Sequence, residues 1–100
     1  MQVTRQSSTQ KTRAAFRYEV RYKRSFLLDV KRLEPAARKQ IQQFVFEDFY
    51  QTTQLQELPE FRQLGSSKIY YRFTLDRYLV SLEVTGQIVK FLRVIRKPDL

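Results

Sequence analysis

Residues Ile69–Lys97, reading IYYRFTLDRYLVSLEVTGQIVKFLRVIRK, place Arg72, Arg77, Lys90, Arg93, Arg96 and Lys97 inside an apolar pattern. Guanidinium and ammonium groups spaced along extended chain do one kind of chemistry well, the binding and neutralising of anions. An arginine fork grips phosphate bidentately, and a fixed cation stabilises charge as it develops there. The same groups also suit an acidic protein surface, and Arg72, Lys90 and Arg93 can equally be the solvated side of a sheet. Other chemistries are excluded by composition. The absence of His and Cys removes the common zinc sites, thiol nucleophiles and histidine acid–base pairs. The acids are scattered: Glu47 and Asp48 fall on a helical segment, Glu57 and Glu60 in a linker, and none forms a carboxylate pair. With two glycines there is no Gly-rich phosphate loop. No metal and no cofactor is expected.

The whole chain shares the cationic bias. It has 100 residues with 19 Lys+Arg against 10 Asp+Glu, a net charge of +9. Such an excess attracts phosphate backbones and acidic proteins. At this length one domain is expected, burying roughly 60–70% of its unfolded surface. No apolar run approaches the roughly 20 residues of a membrane span, and no apolar stretch follows the N-terminal cations as in a secretory signal. A cytoplasmic protein without membrane contact is expected.

Patterning supplies the elements that must hold the cations. Residues 1–15 are polar, with Arg5, Lys11 and Arg13 and no acid, and read as a disordered basic arm. From Phe16 to Tyr22 apolar and charged residues alternate, which predicts a half-buried strand. Ser25 is placed to cap a helix in which Phe26, Val30 and Leu33 share a face. Pro35 opens a second helix, carried by Ala36, Ala37, Ile41, Phe44, Val45 and Asp48. Residues 51–60 form a polar linker anchored by Leu55 and Leu58. A short strand over Phe61–Leu64 precedes a turn at Gly65-Ser66-Ser67. Three alternating strands follow, over Ile69–Leu75, Tyr78–Thr85 and Gln87–Arg96, with turns at Asp76-Arg77 and Thr85-Gly86. The order is β-α-α-β-β-β-β in an α+β domain over residues 16–100. The helical hairpin should cover one face of an antiparallel meander and leave cations, with Tyr70, Arg72 and Thr74 in one row, on the other.

This order, with YEVRYKRSFLLDVKRL, LQELPEFRQLG, IYYRF and FLRVIRK at the matching places, resembles the RelE/ParE superfamily of bacterial and archaeal type II toxins, and the RelE-like branch in particular. The resemblance covers about Tyr18 to Leu100. It implies a toxin that enters the ribosome and cuts messenger RNA, held by a cognate antitoxin in a hetero-oligomer. The sequence departs from the family pattern where Thr74 and Leu79 stand in place of cations. A member that has lost its chemistry and only binds, or a ParE-like gyrase inhibitor, is therefore the alternative to a ribosome-dependent endoribonuclease.

Internal RNA cleavage needs a base for the 2′-hydroxyl, an acid for the leaving 5′-oxygen and positive charge on the phosphorane. Without His, the base must be Lys, Tyr, Asp or Glu, and Lys97 beside Arg96 or Lys68 near Arg72 would serve. Read with the resemblance, Arg72, Arg96 and Lys97 form the catalytic set. Arg62, Lys68, Tyr70 and Arg93 form the nucleic-acid-binding set, with Tyr70 stacking on a base.

Overall fold

The computed structural model describes residues 17–98. The basic arm expected over residues 1–15, and Phe16 of the first expected strand, lie outside the described residues. Strand β1 spans Glu19–Tyr22, helix α1 Arg24–Lys31, helix α2 Pro35–Phe46, and strands β2 to β5 span Arg62–Gln63, Tyr70–Leu75, Tyr78–Thr85 and Ile88–Arg96. This is the expected order. The sheet runs β1-β5-β4-β3-β2. Its meander is antiparallel, while β1 joins the far edge parallel to β5, pairing Val20 with Val89 and Tyr22 with Phe91.

The α2 boundary follows from chemistry at its start. Pro35 occupies the first turn, where its missing N–H costs nothing and its fixed φ suits the helix. The helix ends at Phe46, so Asp48 opens a short 3-10 turn, Asp48–Gln51, instead of extending α2. The second hairpin also corrects the expected register. Thr85 pairs with Ile88, so the turn is Gly86-Gln87, with Gly86 at φ +58°, a conformation a two-residue hairpin loop needs and glycine adopts without strain.

Ser25 was expected as an N-cap. Helix α1 instead begins at Arg24 behind Lys23, with no side-chain cap. The Ser25 hydroxyl donates to the Leu92 carbonyl at 2.7 Å. Four residues on, Asp29 accepts from the Val94 backbone N–H at 3.1 Å. Strand β1 stops at Tyr22, so the remainder of β5 would present unpaired backbone at an edge. One face of α1 satisfies that edge with side chains spaced one helical turn apart.

A bulge sets what β5 displays. Ser81 pairs with Arg93 but Leu82 pairs with Phe91, leaving Leu92 as the extra residue. Uninterrupted alternation from Val89 and Phe91 would drive Arg93 into the core. The extra residue reverses the phase, so Val94 is buried and Arg93 exposed.

The core lies between the helices and one sheet face. Phe26, Val30, Ile41 and Val45 meet Phe49, Leu55, Leu58, Phe73, Val80, Leu82, Val89, Phe91 and Val94. Leu55 and Leu58 anchor the linker as expected. Phe91 is its hub, with ring centroids 5.2 Å from Tyr22 and Phe26 and 5.1 Å from Phe49. At the rim, the Tyr22 hydroxyl donates to the Val45 carbonyl at 2.7 Å and lies 3.1 Å from the Tyr50 hydroxyl. Burial, with Tyr50 beside it, pushes the Tyr22 phenol well above its ordinary value.

Candidate functional site

The helix-free face of the sheet collects the charge. Cross-strand pairing matches Arg62 with Arg72, Arg72 with Ser81, and Ser81 with Arg93. One row of positions therefore crosses β2, β3, β4 and β5 carrying three arginines and a serine. Like charges directly opposite one another on a sheet are destabilising. Arg62 opposite Arg72 is a cost the fold carries unless an anion lies close by.

The anion present is Glu60. Its carboxylate accepts from the Thr74 hydroxyl at 2.8 Å and lies 3.8 Å from the Lys97 ammonium. The Thr74 hydrogen bond, then Lys97, then Arg62 and Arg72, hold the Glu60 carboxyl below the ordinary glutamate value. Glu60 has φ +52°, the left-handed region that a non-glycine residue enters at a cost of about 1–2 kcal/mol. The preceding carbonyl, Pro59, accepts from the Thr74 N–H at 2.9 Å, so the strained residue is pinned over β3. Strain of this kind concentrates at functional sites. Thr74, expected in the outer row with Arg72, is buried at 7% exposure because this loop covers it.

Of the expected catalytic residues, the structure gathers Arg72 and Lys97 around Glu60. Arg96 is elsewhere. It pairs with Tyr78 and lines a cavity of about 420 Å³ on the helix side with Glu34, Gln40 and Asp76. Of the expected binding residues, Arg62 joins the cluster. Arg93 lies in the same row but is engaged by Asp29, which accepts from its Nε at 2.7 Å and its Nη2 at 2.9 Å. Tyr70 stands on the open face at 40% exposure. Lys68 is exposed in the loop before β3, its carbonyl accepting from the Tyr71 hydroxyl at 3.1 Å. Glu60 is the residue that sequence reading missed. Type and spacing made it one of several linker acids, and only the positive φ after Pro59 brings it back over the sheet. Among the described residues no group of three His, Cys, Asp or Glu side chains could hold a metal ion, and no helix is long and apolar enough to cross a membrane.

No protein-family model matches the chain, and no curated protein does. Solved structures do. The RelB–RelE antitoxin–toxin complex from Methanococcus jannaschii aligns with a TM-score of 0.60 and 25% identity, covering 76% of this chain and 88% of that one. The chain has a RelE-like type II toxin fold. The RelBE2 toxin–antitoxin complex of Mycobacterium tuberculosis reaches a TM-score of 0.66 at 19% identity, over 82% of this chain and 93% of that one. The isolated E. coli RelE toxin gives 0.58 at 17%, over 83% and 87%. On the open sheet face of this RelE-like fold, Glu60 is held by Thr74 and faces Lys97, beside the opposed arginines Arg62 and Arg72 and the apolar Leu79, the strand partner of Thr74.

Proposed function

We propose that the chain is the toxin of a type II toxin–antitoxin pair and that it cleaves ribosome-bound messenger RNA in the cytoplasm. The observation that carries the reading is the directly opposed pair Arg62 and Arg72, with Glu60 and Lys97 beside them. A backbone phosphate seated there relieves the repulsion between the two arginines. The reaction is an in-line attack of the 2′-hydroxyl on the adjacent phosphorus. A bond forms from the 2′-oxygen to phosphorus and the bond to the 5′-oxygen breaks, leaving a 2′,3′-cyclic phosphate and a 5′-hydroxyl. Glu60 takes the 2′ proton and the Lys97 ammonium gives one to the leaving oxygen. Arg62 and Arg72 face the charge that gathers on the phosphorane.

Magnitudes rank these roles. A depressed carboxyl stays ionised at neutral pH but is a weak base. Electrostatic stabilisation by a preorganised donor contributes about 2.7–4 kcal/mol, so the arginines carry the larger share. The net charge of +9 supports an acidic antitoxin, with charge speeding association and apolar anchors giving affinity.

Induced expression with and without the adjacent small reading frame tests the reading. Growth arrest with cuts in translated messages, both relieved by a co-purifying acidic partner, is the expected result. Arrest without cleavage would remove the nuclease reading in favour of passive binding or gyrase inhibition. Failure to co-purify at low and moderate salt would remove the toxin reading.

A further inference from the structure

Beside the arginine row, Leu64, Leu79 and Ile95 line a groove of about 300 Å³ together with Arg72, Ser81 and Arg93. Ile95 is 52% exposed and Leu64 is exposed as well. A single exposed aliphatic residue needs no explanation; here three lie together and two guanidiniums rim them, an apolar floor joined to fixed positive charge. Strand pairing puts Leu79 between Thr74 and Ile95, next to the row that holds Arg72, Ser81 and Arg93.

We infer that this groove seats one unpaired nucleobase of the RNA strand whose phosphate lies on Arg72, a subsite that rests on the RNA-cleaving reading above. A nucleotide joins a flat apolar face to an anion, and the groove offers an apolar floor joined to cations in the same sequence. Arg72 belongs to both places, lining the groove and standing on the same face of β3 as Thr74, two residues along, whose hydroxyl holds Glu60. A phosphate held at Arg72 therefore carries its base over Leu79 and Ile95. Asp29 fixes the Arg93 guanidinium through two hydrogen bonds, leaving a rigid planar group of the kind on which unstacked bases lie. The Ser81 hydroxyl makes only a 3.4 Å contact with the Arg93 carbonyl, so it can turn to a base edge. The arginine row continues past the groove to Arg62, which suits a strand of repeating phosphates better than one peptide carboxylate. An arginine at position 79 would fill this groove, so Leu79 shapes the subsite and is not merely a lost charge.

The test is a low-salt anisotropy titration of the full chain with a short single-stranded RNA and with an abasic ribose-phosphate strand of equal length. The wild-type chain should prefer the base-bearing strand by about fivefold, the lower end of what one stacked base contributes. Leu79→Ser and Ile95→Ser should bring the two affinities together, whereas Arg72→Ala should lower both. Ile95 is exposed, so its variant keeps the test valid if Leu79→Ser misfolds. Equal wild-type affinities, or an Ile95→Ser variant that keeps the preference, overturn the subsite and leave the RNA reading standing. Binding of neither strand also overturns the subsite, while the ribosome-bound reading falls only if induced expression leaves translated messages uncut. A leucine-bearing acidic peptide that wild type binds and Ile95→Ser does not, without any base preference, would give the groove to a protein partner and overturn the subsite.

Discussion

Arg93 and Arg72 occupy one row of one sheet face, two strands apart, and meet different acids. Asp29, beside Arg93, is 10% exposed at its side chain and accepts three hydrogen bonds, two from the guanidinium and one from the Val94 backbone. Glu60, near Arg72, is exposed, and its nearest cation is 3.8 Å away. The first acid is consumed by the fold, closing the edge of β5 that β1 leaves bare. The second is held by one hydroxyl and leaves the cations around it open to a ligand. Identical residue types on one face therefore divide into structure and chemistry according to how completely the acid's hydrogen bonds are spent.

The comparison breaks most visibly at Glu60. Glu60→Gln should lower RNA cleavage by about 10²-fold, the lower end of what a general base contributes because a depressed carboxyl is a weak one, while the thermal melt stays unchanged. A shifted melt would make Glu60 a fold residue like Asp29. Next in size, Asp29→Ala should cost about 1–3 kcal/mol in denaturant titration, because it strips the acceptor from the Val94 N–H. Cleavage per folded molecule should persist.

Acid distinguishes the two pairs further. The Arg93 hydrogen bonds, foremost, hold Asp29 below the ordinary aspartate value. A carboxyl depressed in the folded state contributes stability that is complete above its unfolded pKa and is lost as pH falls through the folded one. Wild type should therefore lose stability on acidification in a way that Asp29→Asn does not. A parallel decline in both proteins would detach the stability from this pair.

Two smaller effects sharpen the account. Arg62→Ala should reduce the salt slope of RNA binding by about 1, the signature of one phosphate contact. Thr74→Val removes the hydroxyl that depresses Glu60. The acid limb of the cleavage profile should then move up toward the ordinary glutamate range, with stability changed by about 1 kcal/mol. A profile that stays in place would show that Glu60 does not govern it.

Much of the fold was legible because period-two alternation and Pro35 act locally. The strand order of the meander, the linker anchors Leu55 and Leu58, and the second helix all follow from such signals. Ser25 misled because a serine ahead of an apolar helix serves equally as a cap or as a donor to a neighbouring strand, and only β1's early end decides. The bulge at Leu92 has no marker in residue type, yet it determines which side Arg93 takes. Arg72 and Lys97 were legible as cations. The meeting of Arg72 with Arg62 depends on register, and that of Lys97 with Glu60 on a left-handed backbone residue, neither of which type or spacing reveals.

The central claim is that the cations about Glu60, and not the cations of the sheet in general, act on RNA. Primer extension on a translated message, with Arg72→Ala beside wild type and matched thermal melts, addresses it most directly. The account predicts a fall in cleavage of about 10²–10³-fold, the effect of removing one preorganised donor, with an unchanged melt. An Arg72→Ala chain that folds and still cuts at the wild-type rate would contradict it.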